Sequence, residues 1–535
     1  MGNKYLLDCT LRDGGYVNDW QFGHDNLINI FDRVIRAGVD FIEVGFLDER
    51  RPFDENRSIM PTTECVKKIY GKLDRKKTMV VGMIDFGTCD IHNLQPCKDS
   101  WLDGIRVIFK KNKMRPAMEF CRQVKALGYK VFSQLVSVSS YSDDELREVV
   151  SLANDVEPYA LSMVDTYGLL DPQSLLHIIH VIDKYLNPHI VLGFHAHNNF
   201  QLGYINATTV LDSGLQRDIL VDGTLYGMGK SAGNAPLELI AMYMNEHYGK
   251  VYVVTEMQEA ITSSILDFQK VSPWGYQLFY YIAASQKVHP NYVAYLMNKR
   301  TLSVTAINEI LKKIPETEKL EKNMKLIELL YMEYQKNDCD DAEALQNLSR
   351  AFGNRNILAV GPGPSVGRYA SKIREYIRKN NPIIISVNDI PKTIHPDFLF
   401  LTNNVRFLQA ATKLTLAENK DISIIASSNL TKSERDFDYV INYSSVIDEK
   451  AEFPDNSMCM LIRTLLQCGC RAVALAGFDG YVSDRNNYDN EDREYDFVRK
   501  KGPALNDYAK RFFLNLQGKI DVVFVTPSEY EEKSE

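Results

Sequence analysis

The sequence predicts an α/β protein: a closed (β/α)8 TIM barrel, then a helical appendage, then a second, open α/β domain of Rossmann-like type. Three observations carry this. Between Lys4 and Tyr226, short β-rich runs alternate with stretches of helical period, the signature of consecutive βαβ units. After Asn245 the strand signals stop and residues Thr255 to Gln346 read as helices rich in Leu, Tyr, Glu and Lys. From Ile357 the β-type runs return. A chain of 535 residues also exceeds what one hydrophobic core usually organises. The expected domains are therefore 1–250, 251–350 and 355–535.

In the first domain the candidate strands are Tyr5 to Leu7, Phe41 to Phe46, Met79 to Ile84, Gly104 to Phe109, Lys130 to Val136, Ala160 to Val164, Ile190 to His195 and Ile219 to Val221. Amphipathic segments such as Asp25 to Ala37, Asp143 to Ala153 and Pro172 to Tyr185 separate them. Eight strands in this length fit a closed parallel barrel; an open doubly wound sheet is the alternative. The third domain offers Ile357 to Val360, Ile383 to Val387, Phe398 to Leu401, Ile422 to Ala426, Tyr439 to Ile441, Ala472 to Ala476 and Val522 to Val525.

Composition excludes several classes. The chain is 45% hydrophobic and 25% charged with a net charge of −8, and has no basic block of the kind a nucleic-acid partner would need. No apolar run approaches a membrane span, and the start carries neither a secretory signal core nor a myristoylation pattern, since Leu6 stands where Ser or Thr is wanted. The expectation is a cytoplasmic protein. Nine scattered cysteines read as reduced thiols, the single Cys468-x-Cys470 pair lacking a partner pair at zinc-finger spacing.

Active sites in such barrels lie where strands end, so polar residues just after strands come first. Strand one runs into Asp8-Cys9-Thr10-Leu11-Arg12-Asp13-Gly14-Gly15, and strand seven ends in His195-Ala196-His197-Asn198-Asn199. Two residues apart on an extended strand, His195 and His197 point the same way, toward the barrel mouth. With Asp13 they make two imidazoles and a carboxylate, a donor set suited to Mn²⁺, Mg²⁺, Zn²⁺ or Fe²⁺. The bland reading is a pair of surface histidines before a helix. Gly-Lys-Ser at 229–231 is not a P-loop, because Thr224 occupies the place of its first glycine. A glycine-rich loop closing over the mouth, with Asn234 near the metal, accounts for it better.

L-D-C-T-L-R-D-G, E-V-G-F, F-H-A-H-N and G-N-A-P-L-E, in this order, resemble the pyruvate-type metallolyase superfamily, which includes hydroxymethylglutaryl-CoA lyase, isopropylmalate synthase and 4-hydroxy-2-oxovalerate aldolase. The last is the nearest, and Trp274-Gly275-Tyr276 onward is similar to its helical C-terminal domain, so the resemblance spans about residues 1–345. It implies a metal-dependent aldolase acting on a 4-hydroxy-2-oxo acid. Asp13, His195 and His197 would bind the ion, Mn²⁺ first among Mg²⁺, Zn²⁺ and Co²⁺, with Asn234 completing coordination. Arg12 would neutralise the enolate oxygen, and Glu43, placed at the end of strand two, would orient Arg12 or the substrate. Asp165 and Thr166, by position, and Tyr280, by resemblance, would contact substrate; packing in a Tyr-rich helix is the alternative for Tyr280. An aldehyde-consuming partner enzyme is a further implication; separately, a homo-oligomer is an open expectation, for which the helical appendage offers a contact surface. One departure stands out: Tyr16 occupies the place of the family's general-base histidine, and an unperturbed phenol near pKa 10 is a poor base at neutral pH. A Claisen-type acyltransferase and a catalytically reduced scaffold remain as alternatives.

In the third domain, strand Ile357 to Val360 runs into Gly361-Pro362-Gly363-Pro364-Ser365 and a helix, as phosphate-cradling loops do. With Ser386-Val387-Asn388-Asp389 and Gly477-Phe478-Asp479-Gly480, it resembles bacterial sialyltransferase-like domains and a group from surface-glycan loci. That resemblance implies a nucleotide or nucleotide-sugar pocket around Gly361, Gly363, Ser365 and Asn388, and a bifunctional role in carbohydrate biosynthesis. A structural domain with an ordinary tight turn is the alternative.

Overall fold

The computed structural model describes residues 2–299, 302–430, 437–490 and 496–531. It divides into two compact units, Met1–Pro290 and Asn291–Glu535. The first holds eight parallel strands: β1 (Lys4–Asp8), β2 (Phe41–Leu47), β3 (Met79–Asp85), β4 (Gly104–Phe109), β5 (Lys130–Leu135), β6 (Ala160–Asp165), β7 (Val191–Ala196) and β8 (Ile219–Gly223). Each pairs with its neighbours in sequence, and β8 and β2 both pair with β1, so the sheet closes into a (β/α)8 barrel. A two-residue strand, Ile59–Met60, adds to the free end of β2.

Alternation along the strands fills the barrel in layers. Leu7, Phe41, Val81, Phe132, Ala160, Val191 and Leu220 form an apolar layer inside it. Two residues or so nearer the carboxyl ends, β2, β4, β5, β6 and β8 present Glu43, Arg106, Gln134, Ser162 and Asp222, all buried. Outside, helices cover the strands with apolar stripes. Helix His24–Ala37 buries Leu27, Ile30, Phe31, Val34 and Ile35 at i, i+3, i+4, i+7 spacing and stops at Gly38 in the left-handed region. Each such side chain, fully removed from water, contributes about 1.5–3 kcal/mol. Helix Asp143–Val156 starts with a capping box between Ser142 and Glu145, and Pro172–Tyr185 with Asp171 as cap and proline at its first position.

The helical stretch expected as one appendage over 251–350 is shared between the units. Helix Val254–Ala260 packs on His24–Ala37, tied by Arg33 to Glu256 at 2.7 Å and by the Val253 amide to the Ala37 carbonyl. The second unit carries a seven-stranded parallel sheet: β9 (Ile357–Val360), β10 (Ile383–Val387), β11 (Phe398–Leu401), β12 (Ser423–Ser427), β13 (Tyr439–Ile441), β14 (Ala472–Ala476) and β15 (Asp521–Phe524), in the order β13-β12-β11-β10-β9-β14-β15. It is open and has apolar clusters on both faces, the doubly wound arrangement. Among the described residues no helix is long and apolar enough to cross a membrane.

At the end of β1, burial pushes the Asp8 carboxyl up to about 7, against the opposing hydrogen bonds from Thr10. A carboxyl raised on folding contributes stability below its unfolded value near 4 and loses it as pH rises through about 7. Asp8→Asn removes that titration. The stability difference between wild type and variant, from urea unfolding, is expected to shift by about 2–3 kcal/mol in the variant's favour between pH 5 and pH 8; a pH-independent difference contradicts it.

Candidate metal centre

After β1 the chain makes a single helical turn, Thr10–Asp13, which carries Asp13 over the barrel mouth. His195 lies in β7 and His197 follows its last residue, their rings edge to face with centroids 5.0 Å apart. His195 Nε2 lies 3.5 Å from Asp13 Oδ2 and His197 Nε2 3.6 Å from Asp13 Oδ1. All three residues are buried, and their ligand atoms lie within 4.8 Å of one another. Asn234 completes the group: its Nδ2 donates to Asp13 Oδ1 at 2.9 Å.

The donor set fits a divalent cation on its own chemistry. His195 Nε2, His197 Nε2 and Asn234 Oδ1 are buried without any hydrogen-bond partner. Orphaned acceptors in a protein interior cost about 1–3 kcal/mol each, and here the two imidazole nitrogens converge on one carboxylate. Their opposite edges are already engaged. His195 Nδ1 donates to Asp222 Oδ2 at 3.1 Å and His197 Nδ1 to the Asp165 carbonyl at 3.2 Å, so both rings present Nε2 inward, the usual outer-shell arrangement of ligating histidines.

Charge around the group is strongly coupled. Burial works to raise the Asp13 pKa, but Arg12 and the two histidines hold it well below the usual carboxylate range. Burial opposes charge on His195 as well, yet the facing Asp13 and Asp222 carboxylates leave the pKa raised, whereas burial keeps that of His197 lowered. Arg12 is 3% exposed, donates through Nε to Glu43 at 2.7 Å and through Nη1 to Asp13, and leaves Nη2 without a hydrogen bond among the described residues. Glu43 also accepts from Arg106, which in turn pairs with Asp222.

The glycine-rich loop holds the group from above. Asn198 N donates to the Gly233 carbonyl and Ala235 N to that of Ala196, pinning the loop to the end of β7. The Lys230 amide donates to Asp13 Oδ1 at 3.0 Å. A Cβ on Gly229 would stand 2.3 Å from Asn234 Nδ2 and 2.7 Å from Asp13 Oδ1, so only glycine lets the loop come this close. Trp274, whose indole donates to the Tyr226 carbonyl at 2.9 Å, braces the loop's outer side.

The remaining expected residues divide. Tyr16 sits at the mouth in an aromatic cluster with Trp20 and Phe46, with Lys230 Nζ 5.4 Å from its ring centre. The residue is 44% exposed, and its surroundings with the nearby Asp13 charge hold the phenol above its usual pKa. Glu43 lies in the middle of β2, not at its end, which places it under Arg12 rather than beside a substrate. Asp165 was expected to contact substrate; its carboxylate instead accepts from the Leu169 and Leu170 amides and fixes the turn after β6. Thr166 is likewise engaged, its hydroxyl accepting from the Ser137 amide. Tyr280 is half-buried in helix Leu278–Ser285 and makes no hydrogen bond to the centre. Gly361, Gly363, Ser365 and Asn388 stand at the carboxyl ends of β9 and β10. The amides of the first three are taken by the Ala476 carbonyl, the Gly477 carbonyl and the Asp479 carboxylate, so the loop does not offer a phosphate cradle.

Known proteins similar to this chain match its barrel half. The sequence model of the HMGL-like family matches residues 3–270. A 4-hydroxy-2-oxovalerate aldolase of Salinispora arenicola is 25% identical over 261 residues, 48% of this chain and 73% of that protein. An oxaloacetate decarboxylase of Mycobacterium tuberculosis is 25% identical over 250 residues, 44% and 68% respectively. The solved N-terminal domain of a Bacteroides vulgatus protein assigned as an aldolase is 24% identical with a TM-score of 0.48, covering 57% of this chain and 99% of that one. The family match ends before the second unit and lends its sialyltransferase-like resemblance no support.

Asp13→Asn and His197→Ala are each expected to abolish Mn²⁺ binding to the full chain, read by calorimetry. Asp222→Asn, which loosens the orientation of His195 and the pairing of Arg106, should weaken it about 10–100-fold. Undiminished affinity in Asp13→Asn contradicts the ligand assignment.

Proposed function

The chain belongs through its first half to the HMGL-like family, and from that premise we propose that its barrel is a divalent-metal-dependent carbon–carbon lyase that releases pyruvate from a 4-hydroxy-2-oxo acid. The observation that carries the reading is the convergence of His195 Nε2 and His197 Nε2, both orphaned and buried, on Asp13 beside a buried arginine and the Asn234 amide. A mixed set of imidazole, carboxylate and amide oxygen favours Mn²⁺, with Mg²⁺, Co²⁺ and Zn²⁺ as alternatives. A divalent ion held there supplies Lewis acidity toward the carboxylate and keto oxygens of a 2-oxo acid.

The protein's own residues do the rest. Arg12 Nη2 offers fixed positive charge where negative charge develops on the keto oxygen as the bond to the departing aldehyde breaks. Glu43 and Asp13 hold the guanidinium in place, so little reorganisation is needed during the reaction. Tyr16 and its aromatic neighbours Trp20 and Phe46 wall the mouth and exclude water from one side. The phenol of Tyr16 stays protonated at neutral pH and acts as a hydrogen-bond donor, not as the base that removes the substrate's hydroxyl proton.

That last point favours a second reading. Decarboxylation of a 2-oxo diacid such as oxaloacetate forms the same pyruvate enolate and requires no hydroxyl deprotonation. The two are separated by incubating the protein with Mn²⁺ and either a 4-hydroxy-2-oxo acid or oxaloacetate, with pyruvate read by a coupled dehydrogenase. Release from the hydroxy acid supports the aldolase, release from oxaloacetate alone supports the decarboxylase, and release from neither removes both. In whichever reaction is found, Arg12→Lys should lower kcat by about 10²–10³-fold, because a point charge does not reproduce the guanidinium's fork.

A further inference from the structure

Lys230, the middle residue of Gly229-Lys230-Ser231, takes no part in forming the enolate, yet the loop holds it against the metal group. Its amide donates to Asp13 Oδ1 at 3.0 Å and its carbonyl accepts from the Gly233 amide at 3.0 Å. Ser231, the next residue, stands in the left-handed region at φ 61°, a costly conformation for a residue with a side chain, held by the contacts around it. The backbone is thus fixed, and a flexible four-carbon stem carries the ammonium out from it.

That ammonium reaches the aromatic wall of the mouth. Nζ lies 5.4 Å from the ring centre of Tyr16, the Tyr16 ring packs on Phe46 with centres 6.2 Å apart, and the Arg12 guanidinium lies 5.8 Å from the ring centre of Phe46. Two cations therefore flank one aromatic surface. They differ in their partners. Arg12 is paired with Asp13 and Glu43, whereas Lys230 Nζ makes no hydrogen bond or ion pair among the described residues. The carboxylates whose charge acts on it are Asp13 and Asp85. The first is committed to Arg12 and the donor group; the second, exposed at the end of β3, feels Arg50 and Lys110 more strongly than Lys230.

The charge balance of the site leaves Lys230 over. In the buried network the carboxylates of Asp13, Glu43 and Asp222 outnumber the guanidiniums of Arg12 and Arg106 by one charge. With a divalent ion bound, the excess becomes a single positive charge, which the carboxylate of a 2-oxo acid meets. Lys230 adds another. A half-buried ammonium without an ion-pair partner, beside the metal group and an aromatic wall, calls for a second anion.

On the reading of the barrel as a metal-dependent lyase of 4-hydroxy-2-oxo acids, on which this rests, we infer that the substrate is a dicarboxylate: the half that departs as the aldehyde bears a carboxylate, which Lys230 binds beside Tyr16. Cleavage then yields pyruvate and an aldehyde acid. The electron pair of the C3–C4 bond stays with C3, the C4 hydroxyl gives up its proton and becomes the aldehyde carbonyl, and C3 takes up one proton, so no co-reactant is needed.

Calorimetry of the full chain loaded with Mn²⁺ compares 2-oxoglutarate with 2-oxovalerate. Both carry the chelating 2-oxo carboxylate and lack the C4 hydroxyl, so neither is cleaved, and they differ only in ending with a carboxylate or a methyl group. 2-Oxoglutarate should bind about tenfold or more tighter. Lys230→Met should bring the ratio of the two affinities close to unity, and Lys230→Arg should keep it; if Lys230→Met fails to fold, Lys230→Gln reads the same ratio. Equal affinity of the wild type for both acids, or a ratio unchanged in the neutral variant, overturns the inference and leaves the lyase reading in place. Binding of neither acid by the Mn²⁺-loaded protein removes both.

Discussion

A chain of buried ion pairs crosses the inside of the barrel: Asp13 to Arg12, Arg12 to Glu43, Glu43 to Arg106, Arg106 to Asp222, and Asp222 to His195. Arg106 has no exposed surface and draws together β2, β4 and β8, from which Glu43, itself and Asp222 come. Charges removed from water this completely cost several kcal/mol each unless paired, and loss of one partner from such a pair costs about 3–5 kcal/mol. The network is therefore tolerable only as a whole. It gives up a layer of apolar packing at the top of the barrel and fixes in return where Arg12 and His195 stand.

That arrangement ties fold to chemistry. One end of the network terminates on the carboxylate at the centre of the donor group, the other on the Nδ1 edge of the histidine facing it. The arginine is thus oriented by Glu43 together with the ligand carboxylate Asp13, and the imidazole by Asp222, which touches neither substrate nor ion. His197 is oriented differently, by the Asp165 main-chain carbonyl, which explains how the Asp165 side chain could be given over to the turn after β6.

Much of this was legible in the sequence, because period-2 alternation and strand ends are local properties. Gly104–Phe109 and Ile357–Val360 have the bounds the pattern gives them, and the His195-Ala196-His197 spacing places both rings on one side as an extended strand requires. Arg106, Gln134 and Asp222 were missed, since one charged residue within Gly-Ile-Arg-Val-Ile-Phe reads as an edge position. The signal was present: each lies two residues after an inward-facing Gly104, Phe132 or Leu220, and together with Glu43 and Arg12 they balance in charge. The glycine loop after β9 misled for the opposite reason. Its sequence shows glycines and a helix start but not that Asp479, over a hundred residues later, occupies that start.

Pyruvate-enolate formation is the step that an aldolase and a decarboxylase share at this site, and it can be followed without knowing the second product. Proton–deuterium exchange at the pyruvate methyl group, followed by NMR in D₂O with Mg²⁺ or with Mn²⁺ removed before detection, measures it directly. The account predicts metal-dependent exchange well above the buffer rate, lost with chelator and in Asp13→Asn. Exchange no faster than buffer with any of these metals present, or exchange unaffected by Asp13→Asn, would contradict it.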